Sequence, residues 1–199
     1  MKNVSTFEYF YSFLLTLICS INKKSCTRTE QDKMKQTKLF GSDQGPKVLA
    51  SLELAKAEIF ANQVEGCIKP LCNKLKIVGS IRRKKPLVGD CDFVVKATDA
   101  NWSRIANTLK KSKVICTGPI VIKLNIPFED NLFQVDFYRA YDNNFGIQEL
   151  IRTGSAEHNM WLAGHALSKG FRLKYSEGLI KDKVVVAGLS EESIFSALE

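Results

Sequence analysis

The sequence has few of the residues that hold zinc or build a disulfide framework. Its 199 residues include two histidines and six cysteines, and no two cysteines are spaced as a CxxC pair. This composition argues against a structural zinc site and against a dense set of disulfides. We expect reduced thiols and an intracellular location, either cytoplasmic or nuclear.

A long apolar run is also missing. The most apolar stretch, residues 9–19, is too short to span a bilayer, so we expect no membrane association. Lys2 before it and Ser20 after it are compatible with a signal peptide, whereas Glu8 argues against one. We favour an amphipathic helix or an appendage that packs on the core, and expect no secretion.

Positive charge is in excess. Lysine and arginine outnumber aspartate and glutamate by 29 to 21, which gives a formal net charge of +8. An apolar content of 45% is sufficient for one ordinary domain with its own core. The charge favours an anionic partner such as nucleic acid or a nucleotide.

Helical and strand patterns follow a polar stretch at residues 22–47, which is typical of a linker. We expect a helical segment and linker over residues 1–47 and the main domain from there on. Helical spacing is found in residues 52–75, 99–109 and 145–169, and strand patterns lie around residues 75–80, 89–95, 113–116, 120–126, 132–139 and 184–186. Asp99 and Ser190 are expected to cap helices, and Trp102 and Trp161 to lie in the core. Mixed elements in this order predict an α+β or α/β domain around one central sheet.

Three aspartates occupy positions from which their carboxylates are expected to converge. Successive side chains of a strand point to opposite faces, so Asp90 and Asp92 project from the same side of one predicted strand. Asp136 lies on another predicted strand, on the face opposite to its apolar neighbours. Such carboxylates suit Mg²⁺, and two ions about 3.5–4 Å apart activate a hydroxyl and stabilise a leaving pyrophosphate. The simpler interpretation is that Asp90 and Asp92 are solvent-facing charges at the end of a sheet.

A pattern suited to phosphate precedes these acids. Gly79 and Ser80 directly follow a predicted strand, and a tight turn there offers backbone N–H groups and a hydroxyl to phosphate oxygens. The basic residues 82–85 come next and would neutralise a triphosphate or a nucleic-acid backbone. A charged run is usually only a solvated surface, but this one lies between a Gly-Ser turn and paired carboxylates. The sequence therefore predicts metal-bound phosphate.

The string VGSIRRKKPLVGDCDFVV resembles the GS-x-RR-x(n)-GD-x-D signature of the nucleotidyltransferase superfamily, in the form that the family X (beta-type) DNA polymerases use. Downstream, FQVDFYRA is similar to the strand that carries the third aspartate of that family. RTGSAEHNMWLAGHALSKGF resembles its TGS-x(3)-N and HAL-x-KG segment, and LSEESIFSALE resembles its Glu-Glu-x-Ile-Phe stretch. The likeness spans roughly residues 50–199 in the right order.

The resemblance implies an α+β nucleotidyltransferase fold of the DNA polymerase beta-like palm type, with a mixed central sheet flanked by helices. Residues 48–152 would form the palm, and residues 153–199 a short C-terminal nucleotide-selection subdomain. Asp90 and Asp92 would hold two Mg²⁺ ions, for which Mn²⁺ can substitute. Asp136 would hold the catalytic ion and help to activate a primer 3′-hydroxyl.

The same resemblance implies a set of nucleotide-binding residues. These are Gly79, Ser80, Arg83, Gly89, Gly154, Ser155 and Asn159. Ser80 and Arg83 would hold the β- and γ-phosphates. Gly154 and Ser155 would form a turn beside the incoming sugar and base, and Asn159 would reach the minor-groove edge of the nucleotide.

Several positions depart from the family pattern. Ile151 and Arg152 stand where aromatic residues commonly precede TGS, which affects the selection of the sugar. Ala163 stands where an arginine often contacts the template, and Lys84 replaces a glycine. Helix-hairpin-helix motifs and a lysine-bearing lyase domain are not found, so we expect weak, distributive and salt-dependent DNA binding.

The implied function is transfer of a nucleotide from a nucleoside triphosphate to a DNA 3′-hydroxyl, with release of pyrophosphate, in DNA repair. The expected partners are a primer-template or gapped DNA and a nucleoside triphosphate, and we expect a monomer. One alternative keeps the metal site and changes the acceptor: a template-independent terminal transferase, or a nucleotidyltransferase that acts on RNA, protein or a small molecule. Another is a basic nucleic-acid-binding module without catalysis.

Overall fold

A computed structural model describes residues 47–109 and 112–199. Residues 48–199 form one compact unit. The predicted N-terminal segment and linker lie outside the described residues, apart from Lys47. Within the described ranges, every helix is too short or too polar to cross a membrane.

The described residues form ten strands and six α-helices. The strands are β1 (Leu52–Glu53), β2 (Lys74–Ile77), β3 (Leu87–Val88), β4 (Cys91–Lys96), β5 (Lys113–Thr117), β6 (Val121–Phe128), β7 (Asn131–Arg139), β8 (Arg172–Lys174), β9 (Gly178–Lys181) and β10 (Val184–Ala187). The helices are α1 (Leu54–Ile68), α2 (Gly79–Arg82), α3 (Asp99–Leu109), α4 (Phe145–Thr153), α5 (Ala156–Ser168) and α6 (Glu191–Leu198). A single 3₁₀ turn, Lys69–Leu71, follows α1, because Pro70 cannot continue the helix.

A five-stranded sheet forms the centre of the fold, in the order β2-β4-β7-β6-β5. Strands β4 and β7 are parallel, whereas the other neighbours are antiparallel. The prediction of a mixed central sheet flanked by helices is therefore confirmed. The more specific nucleotidyltransferase palm fold stays a prediction.

The two faces of this sheet carry different chemistry because side chains alternate along each strand. On one face, buried residues such as Phe93, Val135 and Leu124 pack against α1 and α3 in the main hydrophobic cluster. Burying this apolar face drives the association of sheet and helices. On the opposite face lie Asp92 and Asp136, and this face holds the candidate site.

A second hydrophobic cluster is formed by the C-terminal elements. It joins residues of α4, α5 and α6 to β9 and β10: Ile147, Leu150, Leu162, Ala166, Leu179, Ala187, Ile194 and Leu198. Ser190 begins α6 with a capping box in which its side chain and that of Ser193 bond reciprocally to backbone N–H groups. The predicted cap at Ser190 is confirmed, while the predicted boundary at residue 152 stays untested.

Two expectations about single residues are wrong. The first turn of α3 is capped by Thr98, whose Oγ1 accepts a hydrogen bond from the backbone N–H of Asn101 at 3.2 Å. Asp99 instead binds Arg139. Trp161 is 60% exposed, because the core positions of α5 are Leu162 and Ala166, one turn apart. Trp102, by contrast, is buried as expected.

Candidate active site

Asp90, Asp92 and Asp136 converge at one point on the open face of the central sheet. Each offers a carboxylate oxygen, and these three oxygens all lie within 4.8 Å of one another. Asp136 is almost fully buried, with 1% exposure, whereas the other two are partly exposed. This donor set, of oxygens alone and open to solvent on one side, is the kind that Mg²⁺ binds in proteins.

The convergence follows from strand register. Strands β4 and β7 are parallel neighbours, and Asp92 pairs directly with Asp136. Asp90 precedes the first residue of β4, so it lies on the same side as Asp92. Cys91 and Phe93, which alternate with these acids, are fully buried in the core on the other side.

Clustering of the acids disfavours their charged forms. Burial, together with the charges of Asp90 and Asp136, raises the pKa of Asp92 from 3.8 to about 7. Burial and the charge of Asp136 also raise the pKa of Asp90. Lys123 opposes both shifts by its positive charge. Burial is the larger cause of both shifts, and a divalent cation between the carboxylates would offset it together with the repulsion between the acids.

Asp136 accepts hydrogen bonds from three side chains that were not predicted as site residues. Its Oδ2 accepts hydrogen bonds from Lys123 Nζ and from the Tyr138 hydroxyl, the latter at 3.0 Å, and its Oδ1 accepts one from Gln134 Nε2 at 3.0 Å. Gln134 and Tyr138 flank Asp136 at two-residue spacing, which places all three on one face. The sequence feature that could have indicated Lys123 is its position as a lone charged residue in the middle of an otherwise largely apolar strand.

The Gly-Ser turn lies directly against the acids. Gly79 begins the short helix α2 with a φ of +64°, and a β-carbon there would lie 2.0 Å from Asp92 Oδ2. Only glycine fits this approach and this backbone conformation. Ser80 Oγ and Arg83 Nε are buried and have no hydrogen-bond partner within residues 47–109 and 112–199. Buried polar atoms without partners are rare, and these two are suited to phosphate oxygens.

Residues 153–155 join this turn to the second hydrophobic cluster. Arg83 Nη1 donates to the carbonyl of Thr153, and a β-carbon at Gly154 would lie 3.1 Å from the same Nη1. Ser155 caps α5 by accepting a hydrogen bond from the backbone N–H of His158. Arg83 and Gly154, which were predicted from separate motifs, are thus in contact.

A second arginine reinforces the same junction. Arg82 forms a bidentate pair with Glu191 at 2.6 and 2.7 Å and donates to Thr153 Oγ1 at 2.7 Å. Planar guanidinium and carboxylate groups fit each other in this geometry. Arg82 therefore ties α2 to α6 and to the end of α4.

Asn159 lies on α5 one turn beyond Ser155. Its Nδ2 donates to the carbonyl of Ile151 at 2.9 Å, which fixes the amide. Its Oδ1 is buried without a hydrogen-bond partner in the described part of the chain. The side chain is therefore oriented and retains a free acceptor.

Gly89, the last of the predicted nucleotide-binding residues, and Arg152 lie near the acids. Gly89 lies in the bend before Asp90, and a β-carbon there would meet only ordinary contacts, the nearest at 3.8 Å, so the local packing does not require glycine. Arg152 stacks over the ring of Tyr138, with 3.8 Å from its Cζ to the ring centroid. This arginine brings positive charge to the edge of the acid cluster, where it opposes part of the rise in the pKa of Asp92.

Residues 150–199 match the family model described as DNA polymerase beta thumb. The match covers about a quarter of the chain and includes the end of α4, helices α5 and α6, and strands β8 to β10. Curated proteins give no match. A thumb of this kind implies DNA binding and points to a polymerase-type enzyme. Residues 150–199 are therefore similar to the thumb of the beta-type DNA polymerases.

Proposed function

We propose that the protein is a metal-dependent nucleotidyltransferase that adds nucleotides from nucleoside triphosphates to a DNA 3′-hydroxyl, in DNA repair. The observation that carries the proposal is the cluster of three acids within 4.8 Å, directly beside Gly79, in a chain whose C-terminal part matches a polymerase thumb. An isolated acidic cluster has many explanations. An acidic cluster beside donors suited to phosphate, in a chain that also matches a thumb, has few explanations.

The residues at the site fit magnesium. Three carboxylate oxygens, with no sulfur or imidazole ligand among the described residues, form a hard donor set. Burial, and then repulsion between the acids, raises the pKa of Asp90 and of Asp92, and a bound cation would offset both effects. Asp90, Asp92 and Asp136 would hold the ions. Bound there, magnesium would supply the charge that activates the attacking hydroxyl and stabilises the leaving pyrophosphate.

The other residues of the site bind and orient the triphosphate. Within the described residues, Ser80 Oγ and Arg83 Nε are buried donors without partners, and we assign them to the β- and γ-phosphates. Gly79 lets the backbone approach Asp92 closely, so phosphates held by this turn would lie beside the acids. Asn159 has an Oδ1 without a partner among the same residues, and we assign it to the incoming base or sugar. Catalysis in this scheme depends on positioning and electrostatics.

The proposed reaction conserves atoms and charge. The oxygen of the DNA 3′-hydroxyl forms a bond to the α-phosphorus, and its proton passes to the Asp136 carboxylate. The bond between the α-phosphorus and the bridging oxygen breaks, and pyrophosphate leaves with that electron pair. The DNA strand is longer by one nucleotide, and Asp136 returns its proton to water.

Primer extension tests the proposal. A labelled primer is incubated with Mg²⁺ or Mn²⁺ and single deoxy- or ribonucleoside triphosphates, with and without a template strand. We expect templated addition of the complementary nucleotide, and at least about a thousandfold loss in Asp136→Asn because this variant removes a metal ligand. Asp130→Asn is the matched control, since Asp130 is exposed on the β6–β7 turn, and it should retain full activity.

The outcomes separate the possible functions. Addition without a template would identify a terminal transferase. Full activity in Asp136→Asn would contradict the assignment of the acids, provided that circular dichroism shows an unchanged fold. No addition under any condition would favour a non-DNA acceptor or a nucleic-acid-binding role without catalysis.

A further inference from the structure

Lys123 lies on the same face of the central sheet as the acids. Strand β6 is antiparallel to β7, and Lys123 pairs directly with Asp136. Its neighbours Ile122 and Leu124 are fully buried on the other face, so the lysine side chain emerges beside Asp136. The pairing of strands β6 and β7 therefore fixes where the Lys123 side chain begins.

The ammonium group binds the acid that lies deepest. Lys123 Nζ forms an ion pair with Asp136 Oδ2, and the lysine side chain is 35% exposed while that of Asp136 is 1% exposed. Tyr138 donates to the same oxygen, and Gln134 donates to the other. Both oxygens of Asp136 thus accept hydrogen bonds from neighbouring side chains.

The effect of this ammonium extends to all three acids. Three carboxylates carry a formal charge of −3, and with Lys123 the cluster carries −2. Lys123 is a source of positive charge for Asp90 and Asp92 as well. A fixed positive charge within a few ångströms stabilises neighbouring carboxylates and opposes the approach of another cation.

We infer that Lys123 is a built-in counter-ion of the acid cluster, which holds Asp136 in place in the metal-free protein and competes with the divalent cation. Lys123 is a positioning residue, because it acts through Asp136. This inference rests on the proposed metal site. It requires the ammonium to leave Asp136 Oδ2, at least in part, when a cation binds, and the exposed part of the lysine stem gives it a path toward solvent.

Mn²⁺ binding tests this role without any measurement of catalysis. Free Mn²⁺ is counted by electron paramagnetic resonance in titrations of the full chain at pH 8, in the absence of nucleotide. We expect Lys123→Met to bind Mn²⁺ about tenfold more tightly than the wild type, because one competing charge is removed. Lys123→Arg keeps the charge and should remain within about twofold of the wild type. Lys113→Met on the neighbouring strand β5 is the matched control and should leave the affinity unchanged.

Thermal unfolding supplies a second measurement. In EDTA, Lys123→Met should melt at a lower temperature than the wild type, because the acids lose their counter-ion. Saturating Mn²⁺ should raise its melting temperature by more than it raises that of the wild type. If Lys123→Met does not fold, Lys123→Gln takes its place in both measurements.

Each outcome has a distinct meaning. Unchanged or weaker Mn²⁺ binding in folded Lys123→Met or Lys123→Gln, with normal binding by the wild type, would overturn the counter-ion role and leave the metal site intact. A wild type that binds no Mn²⁺, with Asp136→Asn indistinguishable from it, would refute the metal site and the counter-ion role together.

Discussion

Replacement of Asp92 by asparagine should stabilise the metal-free protein while abolishing nucleotide transfer. Burial and two neighbouring acids raise the pKa of Asp92 from 3.8 to about 7. The charged carboxylate is therefore less stable in the folded chain than in the unfolded chain. Asparagine has nearly the same shape and carries no charge, so it removes this cost together with a proposed metal ligand.

The magnitude and the sign follow from linkage. The Asp92 carboxyl holds its proton more tightly in the folded chain than in the unfolded chain. The contribution of Asp92 to wild-type stability therefore falls as pH rises from about 4 to about 7 and is level above that range. A change of one in pKa corresponds to about 1.4 kcal/mol, so the raised pKa of Asp92 sets an upper limit of about 4 kcal/mol on the cost of its charged form at pH 8. Since water reaches one side of the site, we expect a gain of about 2–4 kcal/mol for Asp92→Asn.

Urea unfolding in EDTA measures this gain, with the fluorescence of the buried Trp102 as one signal. The gain at pH 8 should exceed the gain at pH 5 by about 2 kcal/mol, because at pH 5 much of the wild-type Asp92 is already protonated. Asp130→Asn should show no gain at either pH. An Asp92→Asn variant that is no more stable than the wild type at pH 8 would refute the reasoning that burial and repulsion destabilise the charged Asp92 carboxylate.

Three further substitutions test the local geometry. Gly79→Ala should lower Mn²⁺ affinity by at least about tenfold and cost about 1–3 kcal/mol, because the new β-carbon would lie 2.0 Å from Asp92 Oδ2 at a φ of +64°. Gly66→Ala in α1, where a β-carbon meets nothing within 4 Å, should instead stabilise the protein by up to about 1 kcal/mol, and thermal unfolding compares the two. Ser190→Ala should cost about 1 kcal/mol through loss of the capping box of α6, measured in urea; an unchanged midpoint would mean that the cap is replaced by solvent.

The sequence alone determined the identity of the acids and the kind of fold. Alternation in the strands predicted that Asp90 and Asp92 share a face, because a period of two is a property of the extended backbone itself. The predicted cap at Ser190 and the end of α1 before Pro70 likewise depend on residues close in sequence. The TGS segment pointed to the polymerase relationship that the thumb match supports.

Contacts between distant segments could not be predicted in this way. Neither the strand pairing that joins Lys123 to Asp136 nor the contact of Arg83 with Thr153 has a local signature. The two-residue strands β1 and β3 are too short to show a period. Trp161 was placed wrongly because an apolar residue at helical spacing is buried only if a partner covers it, and here the ring lies at the surface against His165.

Local chemistry in the sequence therefore determined which residues could hold a metal and a triphosphate. Only the tertiary structure decided that Asp92 and Asp136 are register partners on parallel strands, that Gly79 touches Asp92, and that an ammonium already neutralises part of the cluster. The physical reason is that residue type and period act over a few residues along the chain. Strand order and register, by contrast, are set by the burial of the whole apolar face of the sheet.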